Sequence, residues 1–220
     1  MNNLSVKITA DGSYTIFNKE LNEHYHSIHG AKQEANHVFI KNGLNYFIEN
    51  YNVKTINLLE VGFGTGLNCW LTINHLTKIK KNIKLNYFGV DPRPIDIKMI
   101  EKLNHQDQNE IYSLIHESDW NKTIKITSNI SLVKTSKNIQ NFQHSNHFQI
   151  IYFDAFGPRV EEKLWNKDVL KLMYNFLVEN GIMVTYCAKG QVRRDLLEIG
   201  FKVERLPGPP GKREMLRAIK

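Results

Sequence analysis

The stretch Thr55-Ile56-Asn57-Leu58-Leu59-Glu60-Val61-Gly62-Phe63-Gly64-Thr65-Gly66 decides how the chain folds. Its first seven residues are a short apolar run ending on glycines, the pattern of a buried strand. The glycines allow a sharp turn and let backbone approach a ligand with no Cβ in the way. Residues 67–76 then read as a helix. Outward from this unit the alternation continues: strand 85–90, a helical stretch from Asp91-Pro92 to Leu103, and a hairpin of 122–127 and 130–135 around Ser128-Asn129. Strand 148–153, helix 169–177, strand 182–187 and a helix from about 191 to 199 follow. Such alternation gives a mostly parallel sheet with helices on both faces. The last two strands, 201–206 and 214–219, are joined by a Pro/Gly turn too short for a parallel crossover, so they pair antiparallel. The expected architecture is α/β and Rossmann-like, a mostly parallel seven-stranded sheet with an antiparallel last strand. Residues 1–54 read as an N-terminal extension packing on a domain of residues 55–220. It holds a hairpin (6–9, turn at Asp11-Gly12, 14–17) and a helical pattern over 34–48.

In an open sheet of this kind, ligands sit beyond the carboxyl ends of the strands, where strand order reverses. The glycine spacing separates two cofactor classes. A dinucleotide turn of the form G-x-G-x-x-G needs its last glycine at position 67, which is Leu67 here. Glycines at 62, 64 and 66 behind an acid at 60 are the arrangement of S-adenosylmethionine-dependent methyltransferases. Asp91, at the end of the second strand, is placed to accept ribose hydroxyls. An ordinary helix cap before Pro92 is the alternative for it.

The fourth parallel strand ends in Tyr152-Phe153-Asp154-Ala155-Phe156-Gly157-Pro158 and faces the same cleft. Methyl transfer to nitrogen needs a neutral amine whose lone pair points at the methyl. A carboxylate at Asp154 can accept the amine N–H, align it and help remove the proton. Phe156 can stack on a flat base or on a cation.

The formal charge is +7, and nine Lys/Arg against four acids place +5 of it in residues 189–220. Clustered positive charge suits a polyanionic partner. Lys189, Arg193 and Arg194 lie at the start of the 191–199 helix. Cys69 and Cys187 are too few for a disulfide framework or a zinc knuckle and read as buried free thiols. His24, His26, His29 and His37 match no zinc spacing, so no metal is expected. No apolar run approaches the ~20 residues that span a bilayer. The start, Met1-Asn2-Asn3-Leu4-Ser5-Val6-Lys7, lacks a signal-peptide profile, and a cytoplasmic protein is the expectation.

Several blocks taken in order carry a resemblance. They are Tyr25-His26-Ser27 with Glu34 and Val38-Phe39, Glu60 through Asn68, Asp154-Ala155-Phe156-Gly157-Pro158 with Leu164-Trp165, Thr185 through Gly190 with Arg193-Arg194, and Pro207-Gly208 with Gly211-Lys212-Arg213-Glu214-Met215. Over most of its length the chain resembles the tRNA 5-(aminomethyl)-2-thiouridine methyltransferase family. It is most similar to the stand-alone form (MnmD), and it also resembles the N-terminal methyltransferase domain of bifunctional MnmC. The resemblance implies a class I S-adenosylmethionine-dependent fold and N-methylation of the 5-aminomethyl group of (2-thio)uridine at the tRNA wobble position. It implies Asp154 as the catalytic carboxylate, with Phe156 beside it. Cofactor contacts would come from Glu60, Gly62, Phe63, Gly64, Thr65, Gly66 and Asn68, from Asp91, and from Ser27 and Glu34. Lys189, Arg193, Arg194, Lys212 and Arg213 would meet tRNA at its anticodon region.

Thr135-Ser136-Lys137-Asn138 occupies the stretch where an adenine-side acid is expected, so no residue is assigned to adenine. With 220 residues there is no room for an FAD-dependent oxidase domain, so a separate enzyme would supply the aminomethyl group. The competing expectations are a small-molecule amine N-methyltransferase, an aminopropyltransferase of the same fold, and a non-catalytic RNA-binding domain.

Overall fold

The computed structural model describes residues 3–79, 81–103, 110–145 and 147–220, so the N-terminal extension is seen from residue 3. It opens with β1 (Leu4–Ile8), β2 (Tyr14–Asn18) and β3 (Glu23–His24), a three-stranded antiparallel sheet. A continuous helical segment follows: α1 (Ala31–Ala35), a π-helical stretch Asn36–Asn45, and α2 (Tyr46–Asn50). The first N–H groups of a helix have no partner inside it, and Gly30, at the cap position, has no side chain to offer. The β1–β2 turn supplies them instead. Asp11 Oδ2 accepts from Gln33 N at 2.9 Å, Ser13 Oγ from Lys32 N at 3.2 Å, and Thr9 Oγ1 from Ala31 N at 3.4 Å. Asp11 also braces the Thr9 hydroxyl, at 2.7 Å. Replacing Asp11 by Ala is expected to lower stability by about 1–2 kcal/mol, as loss of a helix cap does. An unchanged urea midpoint would refute the capping role.

The main sheet then builds from β4 (Thr55–Val61), α3 (Leu67–Lys78), β5 (Lys84–Val90), α4 (Ile97–Ile100), α5 (Glu110–Glu117), β6 (Thr123–Lys125) and β7 (Ile130–Thr135). It continues through β8 (Phe148–Phe153), α6 (Lys167–Phe176), β9 (Leu177–Thr185), α7 (Gly190–Ile199), β10 (Lys202–Pro207) and β11 (Glu214–Ile219). Strand order is β10-β11-β9-β8-β4-β5-β7-β6. Strands β7, β5, β4, β8 and β9 are parallel, and β11 runs antiparallel between β9 and β10. The expected seven strands with an antiparallel last one are there. An eighth, β6, is added at the edge by the 123–135 hairpin, antiparallel to β7.

Two other stretches differ from the reading of the sequence. The helix expected from 91 to 103 shrinks to Ile97–Ile100. Pro92 and Pro94 disfavour helical backbone for the residues before them, and Asp96 caps the short helix through Lys98 N at 2.8 Å. Helix α5 was not anticipated, although Ile111, Leu114 and Ile115 carry helical spacing.

The side-chain period of two divides each strand between two cores. Ile56 and Leu58 of β4 and Ile150 and Tyr152 of β8 face the core shared with the N-terminal helices and α3. Leu59, Val61, Ile151 and Phe153 face the core of α6 and α7. Ile16, Val38, Phe39 and Leu44 belong to the first of these cores, so the N-terminal extension completes one face of the sheet. Cys69 and Cys187 are buried and free, as expected. No helix among the described residues is long and apolar enough to cross a membrane.

Candidate active site

Strand order reverses between β4 and β8, the point where an open α/β sheet leaves a crevice. Val61 pairs with Phe153, and Asp154 N donates to Val61 O at 2.9 Å, so the glycine turn and Asp154 emerge side by side. Gly62, Gly64 and Gly66 all take positive φ, at 88°, 49° and 68°. At Gly62 the space is as restrictive as the dihedral: a Cβ there would lie 2.5 Å from the Asp154 carbonyl oxygen. The cleft over this turn holds about 460 Å³, within the range of a small-molecule site.

Because of the period of two, Glu60 and Asp154 point to the same face as Leu58 and Tyr152, towards α3. Asn68, in the first turn of α3, meets both: its Nδ2 donates to Glu60 Oε1 at 2.9 Å and to Asp154 Oδ2 at 2.7 Å. Tyr87 Oη donates to the other Glu60 oxygen at 2.7 Å. Burial pushes the Glu60 carboxyl far above the usual carboxylate range, against the opposing hydrogen bonds of Tyr87 and Asn68. Burial also raises Asp154 well above that range, and the neighbouring Glu34 carboxylate adds to it. The Asn68 hydrogen bond and the Lys212 ammonium oppose the shift. The Asp154 carboxyl thus holds a proton more strongly than a free aspartate and borders the cleft.

On the other side of the turn, Asp91 Oδ2 accepts from Gly64 N at 2.8 Å and Oδ1 from Arg93 N at 2.9 Å. Burial raises its carboxyl, and those two N–H groups act against the rise. Asp91 lines the cleft, and Asn138 and Ile139 form the wall beyond β7. The stretch after the third strand therefore offers a neutral amide and an apolar surface, with no acid in place.

The front wall comes from the N-terminal extension. Tyr25 packs edge-on against Phe156, ring centroids 4.9 Å apart, and lies over Gly64. His26 bridges to the turn, with Nε2 3.2 Å from Thr65 Oγ1 and Nδ1 3.4 Å from Thr15 Oγ1. Glu34 Oε1 accepts from Ser27 N at 3.2 Å, and its other oxygen is ion-paired with Lys212. The Lys212 ammonium sits 3.9 Å over the Tyr186 ring, and Tyr186 Oη donates to Ala155 O at 2.9 Å. Trp165 Nε1 donates to Phe156 O at 2.7 Å and fixes the loop after β8.

The expected site residues divide by place. Gly62, Phe63, Gly64, Asn68, Asp91, Ser27, Glu34, Asp154 and Phe156 line the cleft, and so does Lys212. Glu60, Thr65 and Gly66 stand behind the turn and shape it; Glu60 is fully buried. Lys189, Arg194 and Arg213 are exposed outside the cleft, and Arg193 is half-buried. The +5 of the C-terminal segment is not one free basic surface. Lys212 pairs with Glu34, Arg205 with Glu214, and Arg217 with Glu204 while stacking 3.4 Å from the Tyr46 ring centroid. Tyr25, His26, Tyr186 and Asn138 were assigned no role from sequence. The first three stand inside the blocks that carried the resemblance, and Asn138 is a neutral side chain with no distinguishing signal. His24 and His29 also line the cleft, and His37 Nε2 lies 2.7 Å from Pro207 O. Among the described residues no three His, Cys, Asp or Glu gather as a metal site.

Comparison with known proteins gives a family match. Residues 99–220 fit the model of a family described as S-adenosyl-L-methionine-dependent methyltransferase. The chain is 26% identical, over 95% of its length, to the tRNA 5-methylaminomethyl-2-thiouridine biosynthesis bifunctional protein MnmC of Leptospira interrogans. It is 27% identical, over 87% of its length, to the MnmC of Hydrogenovibrio crunogenus. It spans only 34% and 30% of those two relatives. Among solved structures, MNMC2 from Aquifex aeolicus superposes with a TM-score of 0.81 at 24% identity, covering 99% of this chain and 70% of that one. That likeness establishes the shared fold.

Proposed function

The chain belongs to the S-adenosyl-L-methionine-dependent methyltransferase family, and from that premise we propose that it methylates the 5-aminomethyl nitrogen of (2-thio)uridine at the tRNA wobble position, giving 5-methylaminomethyl-2-thiouridine. The observation that carries this reading is Asp154. It is a carboxylate of raised basicity held beside the glycine turn, where an amine acceptor needs a base. The names of the MnmC relatives, which place them in tRNA 5-methylaminomethyl-2-thiouridine biosynthesis, support the choice of acceptor.

The residues present fit the donor. Gly62 and Gly64 leave backbone room, Asp91 offers lone pairs to a ribose, and Asn138 and Ile139 offer a neutral seat for a base. Ser27 and Phe63 complete the contacts, Asn68 holds Asp154 in place at the head of α3, and Glu60, Thr65 and Gly66 hold the turn from behind. S-adenosylmethionine supplies an electrophilic methyl when bound. The rest belongs to the protein: Asp154 accepts an N–H of the incoming amine, aligns its lone pair and takes the proton released on transfer. Tyr25 and Phe156, packed edge to face, wall the acceptor's side of the cleft and exclude water.

Glu34 and Lys212 tune this base instead of meeting phosphate. Glu34 disfavours the ionised form of Asp154, so replacing it by Gln lowers the Asp154 pKa and frees the Lys212 charge to lower it further. The acidic limb of the kcat profile is therefore expected to move to lower pH in Glu34→Gln. A limb that stays in place, or moves up, would contradict the assignment.

Phosphate contacts fall to Lys189, Arg194 and Arg213, with half-buried Arg193 behind them. Lys189→Glu with Arg194→Glu should weaken tRNA binding and flatten its salt dependence, read by filter binding at several salt concentrations. Unchanged slopes would remove this helix end from the interface. The protein would act in the cytoplasm on tRNA that a separate enzyme has already given a primary amine. The test of the acceptor is labelled-methyl transfer into tRNA carrying the aminomethyl group against tRNA lacking it; equal incorporation would overturn the reading.

A further inference from the structure

Asn68 is 3% exposed, yet one of its polar atoms is left over. Both hydrogens of Nδ2 are committed, one to Glu60 and one to Asp154. With the amide nitrogen turned to both carboxyl groups, the amide oxygen is the end left over. The oxygen, Oδ1, has no hydrogen-bond partner among the described residues. An unsatisfied buried acceptor is destabilising, so it is retained where something arrives to satisfy it. Asn68 lines the cleft, and its amide is clamped against the carboxylate that receives the acceptor.

We propose that Asn68 Oδ1 accepts one N–H of the acceptor amine and thereby limits the protein to a single methyl transfer per nitrogen; this rests on the amine acceptor proposed above. A primary amine whose lone pair faces the methyl has two N–H bonds left to place. Asp154 takes one and Asn68 Oδ1 the other, which orients the lone pair without freedom to rotate. On transfer, the lone pair becomes the N–CH3 bond and the electron pair of the broken S–CH3 bond stays on sulfur as a neutral thioether. One N–H proton passes to the Asp154 carboxylate. The product is a secondary amine with one N–H and one methyl. To react again it must set that methyl against one of the two acceptors, which leaves a buried oxygen unpaired. A site built to hydrogen-bond an N–H rejects the analogue that lacks it.

The test offers two substrates, aminomethylated tRNA and the same tRNA already carrying one methyl, to the wild type and to Asn68→Ala. Nucleosides are then separated by mass. Wild type is expected to stop at one methyl. Asn68→Ala should slow on the primary amine but convert the monomethylated nucleoside to the dimethylated one, at least about tenfold faster than wild type. Slower turnover with no dimethylated product would overturn the proposal and leave Asn68 as a positioning residue for Asp154. A raised KM for S-adenosylmethionine with strictly monomethylated product would also overturn it, and would assign Oδ1 to the donor's α-ammonium. If Asn68→Ala does not fold, Asn68→Ser, too short to reach both carboxylates, carries the same readout. A wild type that methylates neither tRNA would defeat the acceptor assignment itself, an outcome distinct from all of these.

Discussion

Replacing Asp154 by Asn is expected to leave a folded protein that binds S-adenosylmethionine normally and turns over about 10²–10⁴-fold more slowly, the range for loss of a general base. The amide oxygen introduced by this substitution can still accept from Asn68 Nδ2, so the clamp on α3 survives. What disappears is the group that takes the proton. The raised pKa of Asp154 gives this loss a second signature. In wild type, the active carboxylate form is present above that pKa and lost as pH falls through it, so the acidic limb lies above the ordinary carboxylate range. In Asp154→Asn this component of the limb should vanish along with the rate. Calorimetric binding of the donor separates the two explanations: weakened binding together with a lost rate would make Asp154 part of the donor site, not the base.

Gly62→Ala should have the larger structural effect. The position holds φ at 88°, which an alanine adopts only with strain, and its Cβ would stand 2.5 Å from Asp154 O, 2.8 Å from Asp154 C and 3.0 Å from Ala155 N. None of those atoms is a flexible side-chain end. Relief requires the ends of β4 and β8 to part, and Asp154 to move away from the turn it serves. A combined strain and overpacking loss of about 2–4 kcal/mol is expected. Donor affinity and turnover should fall together, measured by thermal melts and calorimetry. Wild-type affinity in a folded Gly62→Ala protein would show that the close approach of the two strands is not what shapes the cleft.

The centre of the fold was legible because its signals are local. An apolar run broken by glycines defines β4 and the turn, and the same period of two that buries Tyr152 carries Asp154 into the cleft. Asp91 was legible for the same reason, standing at the end of β5. The front wall was not. Tyr25 and His26 lie in a short irregular connection with no periodicity, and only a resemblance marked them out. Lys212 shows the limit of counting charge. Its partner Glu34 is 178 residues away in sequence, and no composition of the C-terminal segment reveals that this cation is consumed inside the cleft. Asn68 was visible as a residue of the turn block, but its role depends on Glu60 and Asp154 converging on one nitrogen, which is a fact of packing. Helix α5 carries apolar spacing too, but over only eight residues, too few for the pattern to stand out in the sequence.

The most direct measurement is mass spectrometry of nucleosides from aminomethylated tRNA incubated with the protein and S-adenosylmethionine. A gain of one methylene mass on the wobble nucleoside, and on no other, is the predicted result. Donor consumption with the wobble nucleoside unchanged would contradict the acceptor assigned to this cleft.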